Sequence, residues 1–296
     1  VRTNNNGGGI SNSGFIGNNI NINSSNGISS YAIGSRIDVN SSNGSVYGYT
    51  LGSNIGIDQA GGTDADSFVA GRNITINNTC ATRSLNTLMT AMCSTFTNVS
   101  GSGGRSPIYA SYLAATDANI SASPIFGNDI RTFTTTVSSS PLIGQGFTIR
   151  RTTANNSPVM GQGINLDDSQ IDNTPIIGQS ITFGTSTNNK VQQSTILGSG
   201  LGLANVRVHE TTILGTGSSF MNGNITSSVF LGNNLGIGSN NNVTRSVLIG
   251  SNSQIAANTS CATAIGSGNT VQANNSHSLG NGIVANLNNS VYLGDS

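Results

Sequence analysis

Five prolines, Pro107, Pro124, Pro141, Pro158 and Pro175, stand seventeen residues apart, and the chain has no others. Each sits in the same phrase: Ser106-Pro-Ile-Tyr-Ala110, Ser123-Pro-Ile-Phe-Gly127, Ser140-Pro-Leu-Ile-Gly144, Ser157-Pro-Val-Met-Gly161 and Thr174-Pro-Ile-Ile-Gly178. A fixed period of this length marks a stacked architecture, in which each repeat buries its apolar face only against its neighbours.

With any residue allowed in place of proline, the phrase becomes Ser/Thr, x, apolar, apolar, Gly. It then runs through Gly17, Gly34, Gly52 and Gly71 to Gly127, Gly144, Gly161 and Gly178. It continues through Gly198, Gly215, Gly232, Gly250, Gly266, Gly280 and Gly294, and the last two steps shorten to 14. Ala110 holds the glycine place in one copy. Apolar residues recur three and five positions after each glycine, as in Ile20 and Ile22, Ile37 and Val39, Phe147 and Ile149, Ile164 and Leu166. Period-two alternation is the pattern of a strand with one buried face. The reading is an all-β, parallel β-roll or solenoid of two-strand coils, with period 17 falling to 14 at the C-terminus.

The first strand of each coil carries two adjacent apolar residues, as in Ile176-Ile177, Ile196-Leu197 and Ile213-Leu214. Adjacent strand residues face opposite ways, so one faces the coil interior and the other needs cover from outside. No helix or second domain in the sequence supplies that cover, and a second copy of the chain would. Proline lacks an amide donor and belongs at a strand entrance, which places Pro124, Pro141, Pro158 and Pro175 in one column. The glycines at the far end of the phrase are expected at corners that need positive φ.

The domain reading is β-roll repeats over 1–71, an irregular insertion or degenerate repeats over 72–106, and β-roll repeats over 107–296, as one continuous stack. Within the irregular stretch, Thr87-Leu-Met-Thr90 is read as a degenerate phrase with Thr90 in the glycine place. Cys80 and Cys93 lie thirteen residues apart and can close a loop as a disulfide, with two free thiols as the alternative. Cys261 has no mate in sequence and is read as a core thiol.

The chain offers little on which to build an enzyme. Of its 296 residues 7% are charged, the formal net charge is zero and there are two histidines. Neutrality argues against a nucleic-acid surface, which needs clustered Lys and Arg, and no apolar run is long enough to span a membrane. His277 occupies a repeat slot that packing explains, and His209-Glu210 lies on a surface connection. Asp167-Asp168 is a turn pair, read as solvated rather than as glycosidase acids. The cysteines lack metal-ligand spacing, and no cofactor is expected. Left-handed acyltransferase helices have a similar coil length but need an aliphatic residue every six positions. Counting on from Ile143 and Met160 reaches Asn155 and Asp172, so a third strand fails. A flat ice- or crystal-binding face is disfavoured by the mixed residues between the second strand's apolar pair (Asn21, Asp38, Gly56, Thr75, Thr148, Asn165, Thr182).

The passages Ser228-Val-Phe-Leu-Gly232, Ser246-Val-Leu-Ile-Gly250, Ala262-Thr-Ala-Ile-Gly266 and Ser290-Val-Tyr-Leu-Gly294 resemble the YadA-like head repeats of trimeric autotransporter adhesins. The 14-residue steps match that family's usual repeat. The likeness is good over about residues 190–296 and looser over 10–190, where the repeat is 17 and proline replaces valine. It implies a left-handed β-roll homotrimer at the tip of a bacterial surface fibre, binding an extracellular ligand such as a matrix protein or glycan. A phage or viral fibre is the alternative owner. The absence of a signal peptide and the ending on a repeat lead to the expectation of a processed piece of a longer protein.

Overall fold

The computed structural model describes residues 1–5, 8–24, 28–41, 46–59, 65–78, 85–97, 107–217, 219–221, 224–226, 229–233, 236–237, 242–244, 247–255, 261, 263–272, 275, 277–286, 289 and 291–294. They contain strands and no helix, and the strand pairings are parallel with in-register partners one coil apart. The chain is an all-β parallel solenoid with turns of about 17 residues. It divides into two compact units, Val1–Gln145 and Gly146–Ser296.

In the first unit, long strands carry both expected strand positions of a coil. Ile28–Ser41 pairs with Val46–Gln59 so that Ile33 meets Leu51, Gly34 meets Gly52 and Ile37 meets Ile55. Leu85–Thr97 pairs with Ala65–Gly71 and Ile74–Asn78 on one side and with Ile108–Thr116 on the other. Its register puts Ala91, not Thr90, opposite Gly71 and Ala110. The glycine place is therefore taken by alanine, and Thr90 is in register with Ala70 and Tyr109. Cys80 lies outside the described residues, and so does its pairing with Cys93.

In the second unit the inward, buried residues of one coil are Val159, Ile164, Leu166, Ser169, Ile171 and Thr174, before Ile176 begins the next. Each large aliphatic among them contributes roughly 1.5–3 kcal/mol by leaving water. Ile171 belongs to a third short strand, Gln170–Asp172, which pairs with Thr153–Asn155 and Asn189–Gln192. Asn119–Ser121 and Thr136–Ser138 make the same strand in the first unit. The six-residue count missed it because the corners space the inward residues by five, two, three, two, three and two. The inward residue is Ala154 or Ile171, one place before the Asn155 and Asp172 that the count reached. This third strand is last seen at Asn242–Thr244, ahead of the two steps that shrink to 14.

The Ser or Thr of each phrase is an internal polar column. Thr174 is fully buried; its hydroxyl donates to the Asp172 carbonyl at 2.8 Å and accepts the Ser157 amide at 3.1 Å. Ser194 repeats the arrangement one coil on, accepting the Thr174 amide at 3.1 Å and donating to Gln192 at 2.7 Å. A buried corner amide thus finds its acceptor in the next coil. Thr174→Val keeps the shape and removes that acceptor. It is expected to lower the unfolding free energy of the second unit by about 2 kcal/mol, the cost of an unpaired buried donor. Denaturant titration measures the loss, and an unchanged midpoint would refute the role.

The prolines stand immediately before strands, as at Ile125–Asn128 and Ile176–Gln179. Their carbonyls still accept, Ile108 N–H donating to Pro124 at 2.8 Å and Val159 N–H to Pro175 at 2.9 Å. Positive φ marks the phrase glycine at the two ends, Gly17 (φ 151°) and Gly294 (φ 143°), but not through the central coils. Gly161 is near-extended at φ 159°, and Gly127, Gly144 and Gly178 show no positive φ. Their requirement is steric. A Cβ on Gly144 would fall on the Gly127 carbonyl oxygen, and one on Gly178 on the Gly161 carbonyl oxygen. The left-handed corner lies two residues later, at Gly163 (φ 62°), Ser180 (φ 52°) and Gly200 (φ 64°).

Candidate self-association surface

The first strand of each coil presents its second apolar residue outward. In the first unit this column runs in register through Ile16, Ile33, Leu51 and Ala70, and again through Tyr109, Phe126 and Ile143. Tyr109 and Phe126 stack with ring centroids 5.0 Å apart. A parallel column two residues earlier runs Gly14, Tyr31, Tyr49 and Phe68. A Cβ at Gly14 would strike the Tyr31 ring, so the ring lies down over this glycine and leaves its outer side to solvent. Ile16 is 73% exposed and Tyr49 63%. Beside Ile16 and Ile33 lies a shallow groove of about 440 Å³, floored by Gly17, Gly34 and Gly52 and bounded by Asn18, Ser35 and Ser53.

In the second unit the outward column runs Met160, Ile177, Leu197 and Leu214. The column two residues earlier runs Thr195, Thr212, Val229, Val247, Thr263, His277 and Val291. Leu279 and Leu293 follow on the same face and are exposed. Fourteen large hydrophobic side chains are exposed among the described residues, and eleven of them lie in these outward columns. Only Val1, Phe133 and Val284 lie elsewhere. No position in either column holds Asp, Glu, Lys or Arg. Scattered exposed apolar residues are ordinary, but a run of them along one face, as in each unit, marks an interaction surface.

Of the other residues weighed in the sequence, His277, the phrase prolines and the phrase glycines lie on or beside this stripe, and the rest lie apart from it. The sequence assigned His277 to packing, yet its side chain is exposed on the stripe, because its place in the column faces outward. Cys261 is likewise exposed rather than in the core, at a left-handed corner with φ 71°. His209 accompanies Glu210 at 3.6 Å and Thr226 at 2.6 Å, on the third strand's outward side. Gly127, Gly144, Gly161 and Gly178 lie next to the outward apolar column, and Pro124, Pro141, Pro158 and Pro175 stand two residues before it.

Asp167 and Asp168 form a tethered corner. Arg150 and Arg151 each approach one of them at 3.5 Å. The Gly184–Asn188 connection closes over the pair, with the Ser186 amide 3.3 Å from Asp167 and the Ser186 hydroxyl 3.1 Å from Asp168. Hydrogen bonds from Asn188 and then Ser186, with Arg151 behind them, hold the Asp168 carboxyl below its ordinary range. A general acid needs the opposite shift. A carboxylate depressed in the fold adds stability above its unfolded pKa and loses it as pH falls through the folded value. Acidification below about pH 4 is therefore expected to speed amide exchange of residues 184–188. In Asp168→Asn, which suits the same left-handed corner, that acid response is expected to disappear. An identical response in both proteins would exclude Asp168 as its source.

Comparison with protein-family models, with characterised proteins and with solved structures finds no match to this chain.

Proposed function

We propose that this chain is the structural and adhesive head of a fibre exposed outside the cell, assembled as a homotrimer along the outward face of the first strand. The carrying observation is the confinement of exposed large hydrophobics to that face, eleven of fourteen among the described residues. A second copy fits such a stripe better than an unrelated partner does. Its own columns repeat with the same coil spacing, so side chains interleave coil by coil. The number three, the bacterial surface and the binding of a matrix protein or glycan come from the resemblance to YadA-like heads. A parallel solenoid suits the role, because its coils can present the same weak contact many times and raise avidity.

Light scattering tests the assembly. The expected mass is three times the chain mass of 30.1 kDa. A stable single chain at micromolar concentration would overturn the reading. Binding of the assembled protein to a glycan and matrix-protein array tests the adhesive half, with binding lost on dissociation.

A further inference from the structure

We infer that self-association through the stripe is switched by pH through His277. The inference rests on the self-association proposed above. It begins from charge. No outward column carries Asp, Glu, Lys or Arg, and residues 246–294 contain none at all. His277 is the single histidine on the stripe, and histidine is the side chain that ordinarily gains charge between about pH 5 and pH 8. It stands in register between Thr263 on one coil and Val291 on the next, with exposed Val291, Leu279 and Leu293 around it.

The strands on either side, Thr263–Ala264 and Val291–Tyr292, offer it no carboxylate. The titratable groups on them and at their corners are the phenol of Tyr292, beside Val291, the thiol of Cys261, two residues before Thr263, and the carboxyl of Asp295, two residues after Leu293 and outside the described residues. Neither strand beside His277 therefore places a carboxylate against an imidazolium. In the free chain His277 is exposed and water solvates either form. Once another copy covers the stripe, the neutral ring fits the apolar face, whereas the cation would lose its water without gaining a partner among the described residues. The assembly therefore takes up fewer protons than the free chains, and association weakens as pH falls.

The test is sedimentation of the full chain across about pH 7.5 to about pH 5.5, the range over which an ordinary imidazole charges. The association constant is expected to fall by roughly tenfold per chain over that span, so about a thousandfold for three chains. His277→Val and His277→Thr place residues from the same column at this position and are expected to associate equally at both ends. His209→Gln, on another face and beside Glu210, is expected to keep the full pH response of the parent. A parent protein that associates with no pH response, or a His277→Val variant that keeps the response, would overturn the inference. A parent that stays a single chain at every pH would instead overturn the self-association beneath it.

Discussion

Replacing Gly178 with alanine is expected to destabilise the second unit by about 3 kcal/mol, the upper part of the range for forcing atoms into a packed interior. The added methyl meets the Gly161 carbonyl oxygen of the preceding coil and the Ile164 side chain, whose Cδ1 would lie 3.0 Å away. Neither is free to move, because the oxygen belongs to the parallel ladder and Ile164 fills the coil interior. Gly163 supplies the contrast. Its φ is 62° and its nearest neighbours to an added Cβ are 3.8 Å away, so Gly163→Ala meets conformational strain without collision. That costs about 1 kcal/mol, as a single left-handed residue does. Ala91 and Ala110 hold the phrase glycine's place in adjacent coils of the first unit. Gly178 has glycine on both sides, Gly161 and Gly198. Denaturant unfolding of the three proteins should rank parent, Gly163→Ala, Gly178→Ala. Equal losses for the two variants would mean that both columns answer to backbone angle alone.

The period and the paired strands were legible because large apolar residues recur at fixed offsets from a glycine. The third strand was not, for a physical reason. In the coils of Val137, Ala154 and Ile171 it buries one residue between corners whose buried residues are Ser and Thr, and it buries an apolar pair at Val206 and Val208. In the proline coils a single apolar residue among hydroxyls shows no alternation. The left-handed corner was also hidden, because its column mixes Gly146 and Gly163 with Asp129 and Ser180. Asp tolerates positive φ, so glycine is not obligatory there. At Gly127, Gly144 and Gly178 the phrase glycine was assigned the wrong cause. A sequence shows that a side chain is excluded, but not whether angle or collision excludes it. The stripe was legible as the second of two adjacent apolar residues. His277 was not recognised as its polar member, since its slot was read as a place in the packing rather than as a direction.

Leu197→Asp is expected to leave the solenoid intact and to abolish self-association. Leu197 is outward and 39% exposed, between Ile177 and Leu214 in its column, so the substitution opens no cavity. The far-UV signal and the unfolding midpoint of the single chain should stay within about 0.5 kcal/mol of the parent, as for surface changes generally. In the assembly each copy would bring a carboxylate into an apolar face that holds no Lys or Arg to meet it. Desolvating such a charge without a partner costs several kcal/mol, so about 3 kcal/mol per chain is a conservative figure, roughly a hundredfold each. Thr182→Asp provides the control. Thr182 is exposed on the second strand of the preceding coil, and the same charge there should leave the mass unchanged. If Leu197→Asp and Thr182→Asp both retain the parent's mass, the stripe does not hold the copies together and another face must. If both dissociate it, added charge acts through long-range repulsion, and raising the salt concentration should restore the assembly. Dissociation by Leu197→Asp alone, unaffected by salt, is the outcome that assigns the contact to this column.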